Sequence, residues 1–207
     1  MVINIGRFKS NEIVEDALVK KKKIAVIVGS LRKEAFSRKT ARALMKAASG
    51  TFEMEEVQLG ELLIYNQDLD DEGIPPAAWT TFRELMKKFD GFLFVTPEYN
   101  RSVPGLLKNA LDVGSRPHGK SIWDGKPGAI VSTSPGRLSG FGANHHLRQS
   151  MVFLNVPTMQ QPEAYIGNAA VLFDEKGDLI DENTQKILQN FMDSFVFWVE
   201  KIAPDNK

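Results

Sequence analysis

Residues 91–112, GFLFVTPEYNRSVPGLLKNALD, constrain the fold of this chain more than any other stretch. Residues 92–95 are apolar and uncharged, which is typical of a strand buried on both faces of a parallel sheet. Pro97 ends that strand because proline donates no backbone hydrogen bond, and Pro104 suits the first turn of a helix. A strand, a polar loop and a returning helix place ligands at the carboxyl edge of an open α/β sheet. Taken alone, the loop is equally compatible with an ordinary turn.

Composition excludes several classes of function. The chain has 207 residues, of which 43% are hydrophobic, which is enough for one well-buried domain. Its 26 basic and 26 acidic residues give no net charge to attract nucleic acid or an anionic membrane, and the absence of cysteine excludes disulfides and thiol chemistry. No apolar run approaches the roughly 18 to 20 residues of a membrane span, and no secretory signal is evident. We therefore expect a soluble, cytoplasmic protein that binds neither nucleic acid nor membrane.

A second strand-to-helix turn has residue types that suit a phosphate group. An apolar strand at residues 24–28 is followed by GSLRKEAFS and then by a helix over residues 37–48. The unpaired N–H groups at the start of a helix, together with its dipole, favour an anion there. The spacing matches neither G-x-G-x-x-G nor the Walker A loop, which disfavours a dinucleotide or ATP site. As a plain turn, it would use Ser37 as a helix cap and leave Arg32 as a solvated charge.

A third polar loop follows the predicted strand at residues 128–133. It is rich in small residues, which allow backbone to approach a planar ligand closely, and Thr133 and Ser134 are its candidate contacts. The remaining predicted elements are strands over residues 52–59 and 156–159, a possible β extension over 169–173, and helices over 77–89, 143–153 and 181–202. Five strands separated by helices predict a doubly wound parallel α/β sheet.

Several charged segments are interpreted as structural, and no metal site is predicted. One acidic loop lacks EF-hand spacing, which favours a solvated loop over a metal site; its carboxylates are Asp68, Asp70, Asp71 and Glu72. His145 and His146 point about 100° apart on a helix, so interface or surface roles are favoured over a shared metal. Residues 1–22 form an N-terminal extension with a short helix over 11–19, which leaves 23–207 as a single domain.

The string PEYN-x-S-x-P-G-x-L-K-N-A-x-D at residues 97–112 closely resembles the signature of the NAD(P)H-dependent FMN reductase family. Members of this family include quinone, azo-dye and chromate reductases. The G-S-x-R of residues 29–32 is similar to the family's phosphate loop, although Ala35 stands where members often have serine. The resemblance covers roughly residues 22–203 and implies a flavodoxin-like sheet of five parallel strands in the order 2-1-3-4-5. It also implies FMN as the cofactor and NADPH or NADH as the electron donor.

The resemblance assigns flavin-binding residues to the three loops. They are Ser30, Leu31, Arg32, Phe36 and Ser37 around the phosphate, Pro97, Glu98, Tyr99 and Asn100 along the ring, and Thr133 and Ser134 in the third loop. In the family this third loop often carries a Gly-Gly pair, which Ser139-Gly140 replaces here. Arg116 has two interpretations. It either complements the negative end of the preceding helix or reaches a neighbouring subunit's flavin and attracts anionic substrates.

The function implied by the resemblance is transfer of a hydride from NAD(P)H through FMN to a small acceptor, by a ping-pong mechanism. The acceptors are quinones, free flavins, azo compounds or metal oxyanions such as chromate, and the flavin rather than a side chain carries the chemistry. A homodimer or homotetramer is implied, with Arg148, Met151 and Phe153 on the helix over 143–153 as contacts. Two alternatives remain: a flavodoxin-like electron carrier serving a protein partner, and a cofactor-free interaction module on the same fold.

Overall fold

The computed structural model describes residues 21–203 and has a five-stranded parallel sheet at its centre. The strands are β1 (Lys23–Val28), β2 (Glu53–Glu56), β3 (Gly91–Thr96), β4 (Gly128–Thr133) and β5 (Ala164–Ile166). They lie in the order β2-β1-β3-β4-β5, and all four pairings are parallel. The predicted doubly wound, flavodoxin-like sheet in the order 2-1-3-4-5 is therefore confirmed. The helix predicted over residues 11–19 lies outside the described residues.

Helices cover both faces of this sheet. They are α1 (Phe36–Ala47), α2 (Gln67–Asp71), α3 (Ala77–Met86), α4 (Gly105–Gly114), α5 (Phe141–Phe153) and α6 (Glu182–Ile202). Alternate side chains of β3 point to opposite faces: Phe92 and Phe94 pack with α3, α4 and α5, whereas Leu93 and Val95 pack with α1 and α6. Every residue of β3 and β4 is buried, as expected for central strands of a parallel sheet.

The fifth strand differs from the prediction. Residues 156–159 form only the bridge between Gly128 and Thr158, whereas Ala164–Ile166 pairs with β4. The prediction of a strand over 156–159 was wrong because Pro157 supplies no backbone donor to continue a ladder. The β extension predicted over 169–173 is also wrong in its main part, since Ala169–Val171 is a turn of 3-10 helix.

The acidic loop around α2 is not wholly solvated. Asp70 accepts hydrogen bonds from Nη1 and Nη2 of Arg83 at 2.8 and 2.7 Å, and the two side chains are only 4% and 9% exposed. Arg83 also donates from Nε to the Val113 carbonyl at 2.9 Å, which connects α2, α3 and the end of α4. The prediction of a solvated loop is therefore wrong for Asp70, because a guanidinium from α3 pairs with its carboxylate.

Within residues 21–203, no group of three or more His, Asp or Glu side chains is arranged to hold a metal ion. No helix in this part of the chain is long and apolar enough to cross a membrane.

Candidate functional site

Three polar loops follow β1, β3 and β4, so they lie at the same carboxyl edge of the sheet. We call residues 29–35 the first loop, 97–104 the second loop and 134–140 the third loop. The first and second loops touch: Ser30 Oγ lies 3.3 Å from Tyr99 Oη, and a Cβ on Gly29 would lie 3.0 Å from Pro97 Cδ. A side chain at Gly29 would therefore push the two loops apart.

The end of the first loop presents a helix start with no side-chain cap. The N-cap of α1 is Ala35, so the interpretation of Ser37 as the helix cap is wrong. Ser37 lies inside the first turn and is fully buried, yet its hydroxyl has no hydrogen-bond partner in the described chain, and the same holds for Thr40 one turn later. Buried hydroxyl groups are normally hydrogen-bonded. An uncapped helix start with an unused hydroxyl is suited to an anion, and a flavin phosphate fits these residues.

The other predicted residues of the first loop lie around this helix start. Arg32 is exposed and forms no ion pair within residues 21–203, so its guanidinium is free to bind an anion. The backbone N–H group of Arg32 donates to Ser30 Oγ at 3.3 Å, and this hydrogen bond fixes the tip of the loop. Phe36 is the first residue of α1, and Leu31 is 56% exposed beside the loop after β2. Sequence reasoning missed Thr40, for which a hydroxyl at helical spacing from Ser37 was the available signal.

The second loop contains a tight two-residue turn. Tyr99 and Ser102 exchange backbone hydrogen bonds of 3.1 and 3.0 Å, and the two residues between them have positive φ angles, 51° for Asn100 and 64° for Arg101. This is the pattern of a type I′ turn, in which asparagine is favoured and arginine is not. A left-handed backbone costs roughly 1–2 kcal/mol for an ordinary residue. The turn holds Tyr99 and Asn100, both predicted ligand contacts, exposed at the edge of the sheet.

Glu98 uses its carboxylate for a contact that the sequence did not indicate. Its side chain is 11% exposed, and Oε2 accepts a hydrogen bond of 3.0 Å from the Ala143 N–H group in the first turn of α5. This helix has no side-chain cap of its own, since Gly140 occupies the N-cap. A Cβ on Gly142 would lie 2.8 Å from the Arg101 carbonyl oxygen and 3.0 Å from Glu98 Oε2, so glycine allows the second loop to approach α5 closely. The Glu98 carboxylate thus connects the second loop to α5, and its backbone remains at the edge of the sheet.

The third loop is held by hydroxyl groups and left-handed residues. Ser132 Oγ donates to the Ser139 carbonyl at 2.8 Å, and Ser134 Oγ accepts from the Gly136 N–H group at 3.0 Å. Ser139 and Gly140 both have positive φ angles, 56° and 74°. Ser139 therefore adopts the left-handed backbone conformation that the first glycine of a Gly-Gly pair would adopt easily. Thr133 is 1% exposed and its hydroxyl has no partner among the described residues, which leaves it available to a ligand.

Arg116 does not join the three loops. It follows the end of α4, which runs back from the carboxyl edge of the sheet to the opposite edge. Its neighbours there are Tyr65, Asp70 and His118, which line a shared cavity with it. Burial and the Asp70 carboxylate raise the pKa of Tyr65, and the positive charge of Arg116 opposes that rise. Any contact between Arg116 and a flavin would have to come from a neighbouring subunit.

The outer face of α5 differs from the contact surface predicted there. Met151 is 1% exposed and packs in the core, so its prediction as a contact is wrong. Arg148 is engaged inside the chain, where it donates to Asn144 Oδ1 and the Met159 carbonyl at 3.0 Å each. We define the outer face of α5 by its exposed side chains, which are Phe141, His145, His146, Gln149, Val152 and Phe153. Val152 and Phe153 are more than four-fifths exposed.

The strand order and the uncapped start of α1 define a flavodoxin-like protein with a ligand site at the carboxyl edge of its sheet. Residues 22–171 match the family described as NADPH-dependent FMN reductase, and the chain belongs to this family. FMN is therefore its cofactor and NAD(P)H its electron donor.

Similar proteins agree with this assignment. The chain is 58% identical over 177 residues to a quinone reductase of Pseudomonas putida. The aligned region covers 86% of this chain and 94% of the relative. It is 46% identical to a 2-hydroxy-1,4-benzoquinone reductase of Burkholderia sp, over 86% of this chain and 96% of that one. Among solved structures, the flavoenzyme NAD(P)H:(acceptor) oxidoreductase FerB of Paracoccus denitrificans matches with a TM-score of 0.82 and 39% identity, over 88% and 100% of the two chains.

Proposed function

We propose that this protein reduces quinones with electrons from NAD(P)H, using FMN bound by the three loops. The observation that carries the binding site is the uncapped start of α1. Among residues 21–203, the buried Ser37 hydroxyl there has no hydrogen-bond partner and the Arg32 guanidinium has no ion pair. The names of the relatives from Pseudomonas putida and Burkholderia support a quinone as acceptor. Free flavins, azo compounds and metal oxyanions such as chromate belong to the same proposal as further acceptors.

The residues of the site hold and orient the cofactor. Ser30, Arg32 and Ser37 bind the phosphate, because a hydrogen bond to a charged phosphate is stronger than one between two neutral groups. FMN, when bound, supplies the redox chemistry by accepting a hydride and passing electrons on. Leu31 and Phe36 complete the phosphate loop. The remaining predicted contacts shape the ring site; they are Pro97, Glu98, Tyr99, Asn100, Thr133 and Ser134. No side chain of this set needs to act as a nucleophile.

We expect ping-pong kinetics. The sequence contains no G-x-G-x-x-G fingerprint for a second nucleotide site. The three loops lie at one edge of the sheet, so we expect donor and acceptor to bind there in turn. Double-reciprocal plots of rate against NAD(P)H concentration at several quinone concentrations should give parallel lines. The oxidised nicotinamide should compete with the quinone.

Intersecting lines, together with a ternary complex detected by direct binding, would show that both substrates occupy the site at once.

Reduction of the bound flavin by NADPH alone distinguishes the enzyme from the alternative electron carrier. Rapid bleaching of the flavin supports the enzyme, whereas a flavodoxin-like carrier that depends on a protein partner would bleach slowly.

We also propose a homodimer or homotetramer built on the outer face of α5. Exposed Val152 and Phe153 form an apolar surface that is unfavourable in water. Replacing both with glutamate should convert the oligomer to monomer, because the contact would then bury two carboxylates. Light scattering at micromolar protein concentration measures the change. Val171→Glu, at another exposed apolar position, is the control and should leave the mass unchanged. A monomeric unsubstituted chain would contradict the proposal.

A further inference from the structure

Arg38 is connected to the first loop by two hydrogen bonds and to β2 by a third, although it was not a predicted site residue. Its Nη1 donates to the Arg32 carbonyl at 3.0 Å and its Nη2 to the Ser30 carbonyl at 3.2 Å. Its Nε donates to Glu56 Oε1 at 2.9 Å. The side chains of Arg38 and Glu56 are 16% and 22% exposed, so this ion pair is largely shielded from water.

Arg38 binds carbonyl groups of the first loop, and this leaves the hydroxyl groups and the helix start for a phosphate. Carbonyl oxygens carry partial negative charge and repel a phosphate, so a phosphate-binding loop must keep them away from its ligand. Arg38 engages the carbonyl groups of Ser30 and Arg32, which are two of the predicted phosphate-binding residues. Glu56 belongs to β2 and holds the guanidinium from outside the loop. The rigid fork of arginine suits this task, whereas lysine offers one point charge.

We propose that Arg38 is a positioning residue that makes the first loop selective for a phosphorylated flavin. It fixes the carbonyl groups of the loop, so that the hydroxyl groups and the helix start face the phosphate without reorganisation. This inference rests on the proposed FMN site and adds a specific consequence. Losing Arg38 should weaken binding of FMN but not of riboflavin, because riboflavin lacks the phosphate.

The test uses the full chain freed of flavin and titrated with FMN and with riboflavin, followed by flavin fluorescence. Arg38→Met should weaken FMN binding by about tenfold or more and change riboflavin binding by less than about twofold. Arg38→Lys, which keeps the charge and loses the fork, should fall between Arg38→Met and the unsubstituted chain. Arg42→Met is the matched control, since Arg42 is exposed one turn further along α1. It removes the same charge and should change neither affinity.

Three outcomes overturn the proposal. Equal weakening of FMN and riboflavin would mean that Arg38 only stabilises the fold, and a matching fall in thermal stability would accompany it. An equal effect of Arg42→Met would mean that net charge, not loop geometry, attracts the phosphate. Unchanged FMN affinity in Arg38→Met would exclude the role directly. The proposed phosphate site fails separately, if the unsubstituted chain binds riboflavin as tightly as FMN.

Discussion

Replacing Asp70 with alanine is expected to lower the free energy of unfolding by about 3–5 kcal/mol, the range for removing one partner of a buried ion pair. The Asp70 carboxylate receives two hydrogen bonds from Arg83, and both side chains are nearly inaccessible to water. The variant leaves the Arg83 guanidinium buried, with the Val113 carbonyl as its remaining acceptor among the described residues. Urea unfolding followed by circular dichroism measures the difference.

A matched control lies on α3, the helix that carries Arg83. Glu84 pairs with Lys87 at the exposed surface of α3, and Glu84→Ala should cost less than about 1 kcal/mol. The double variant Asp70→Leu with Arg83→Met should recover much of the loss, because no buried charge remains unpaired. A cost below about 1 kcal/mol for Asp70→Ala would mean that water reaches the pair in solution.

The same pair sets a pH dependence of stability. Hydrogen bonds from Arg83 lower the pKa of Asp70 below its usual value, against the opposing effect of burial. A carboxyl group with a lower pKa in the folded state contributes stability above its unfolded pKa, about 3.9, and loses it as the pH falls through the folded pKa. We expect the urea concentration at the midpoint of unfolding to decrease as the pH drops below about 4 in the unsubstituted chain. The part of this decrease that comes from Asp70 should be absent from Asp70→Ala.

The central strands and the three loops could be predicted because their signals are local. Residues 24–28, 92–95 and 128–133 are apolar runs followed by glycine, proline or hydroxyl residues, and such runs indicate buried parallel strands whatever lies elsewhere in the chain. Since parallel strands share one carboxyl edge, the loops after them had to meet. By contrast, β5 has only three residues, too few for a hydrophobic pattern to be distinguished from a loop.

Contacts that join distant parts of the chain left no signal in the sequence. Glu98 bonds to the backbone N–H group of Ala143, 45 residues away, and any residue except proline offers the same donor. Arg38 bonds to backbone carbonyl groups, which every residue has. Asp70 and Arg83 are 13 residues apart on different helices, with no regular spacing to connect them. These contacts depend on the packed fold, so only the structure identifies their partners.

Replacing Arg32 with alanine is expected to weaken FMN binding by about 1.5–3 kcal/mol, the range for hydrogen bonds to charged groups. Arg32 is exposed and free of ion pairs within the described chain, so its guanidinium gives up no protein partner when it binds a phosphate. The loss corresponds to roughly 10-fold to 150-fold in Kd, measured by fluorescence titration of the flavin-free chain. Riboflavin affinity should not change. Unchanged FMN affinity would remove Arg32 from the site.

Combining this substitution with Arg38→Met separates direct binding from positioning. Lys33→Ala, which removes the adjacent exposed cation, should weaken FMN much less than Arg32→Ala and shows how much any charge in the loop contributes. If Arg32 binds the phosphate and Arg38 fixes the backbone that carries Arg32, the two losses share one interaction. The double variant should then lose less than the sum of the single losses, because residues with a shared partner are not additive. Full additivity would mean that the two arginines act on the flavin independently, and Arg38 would then need a phosphate contact of its own.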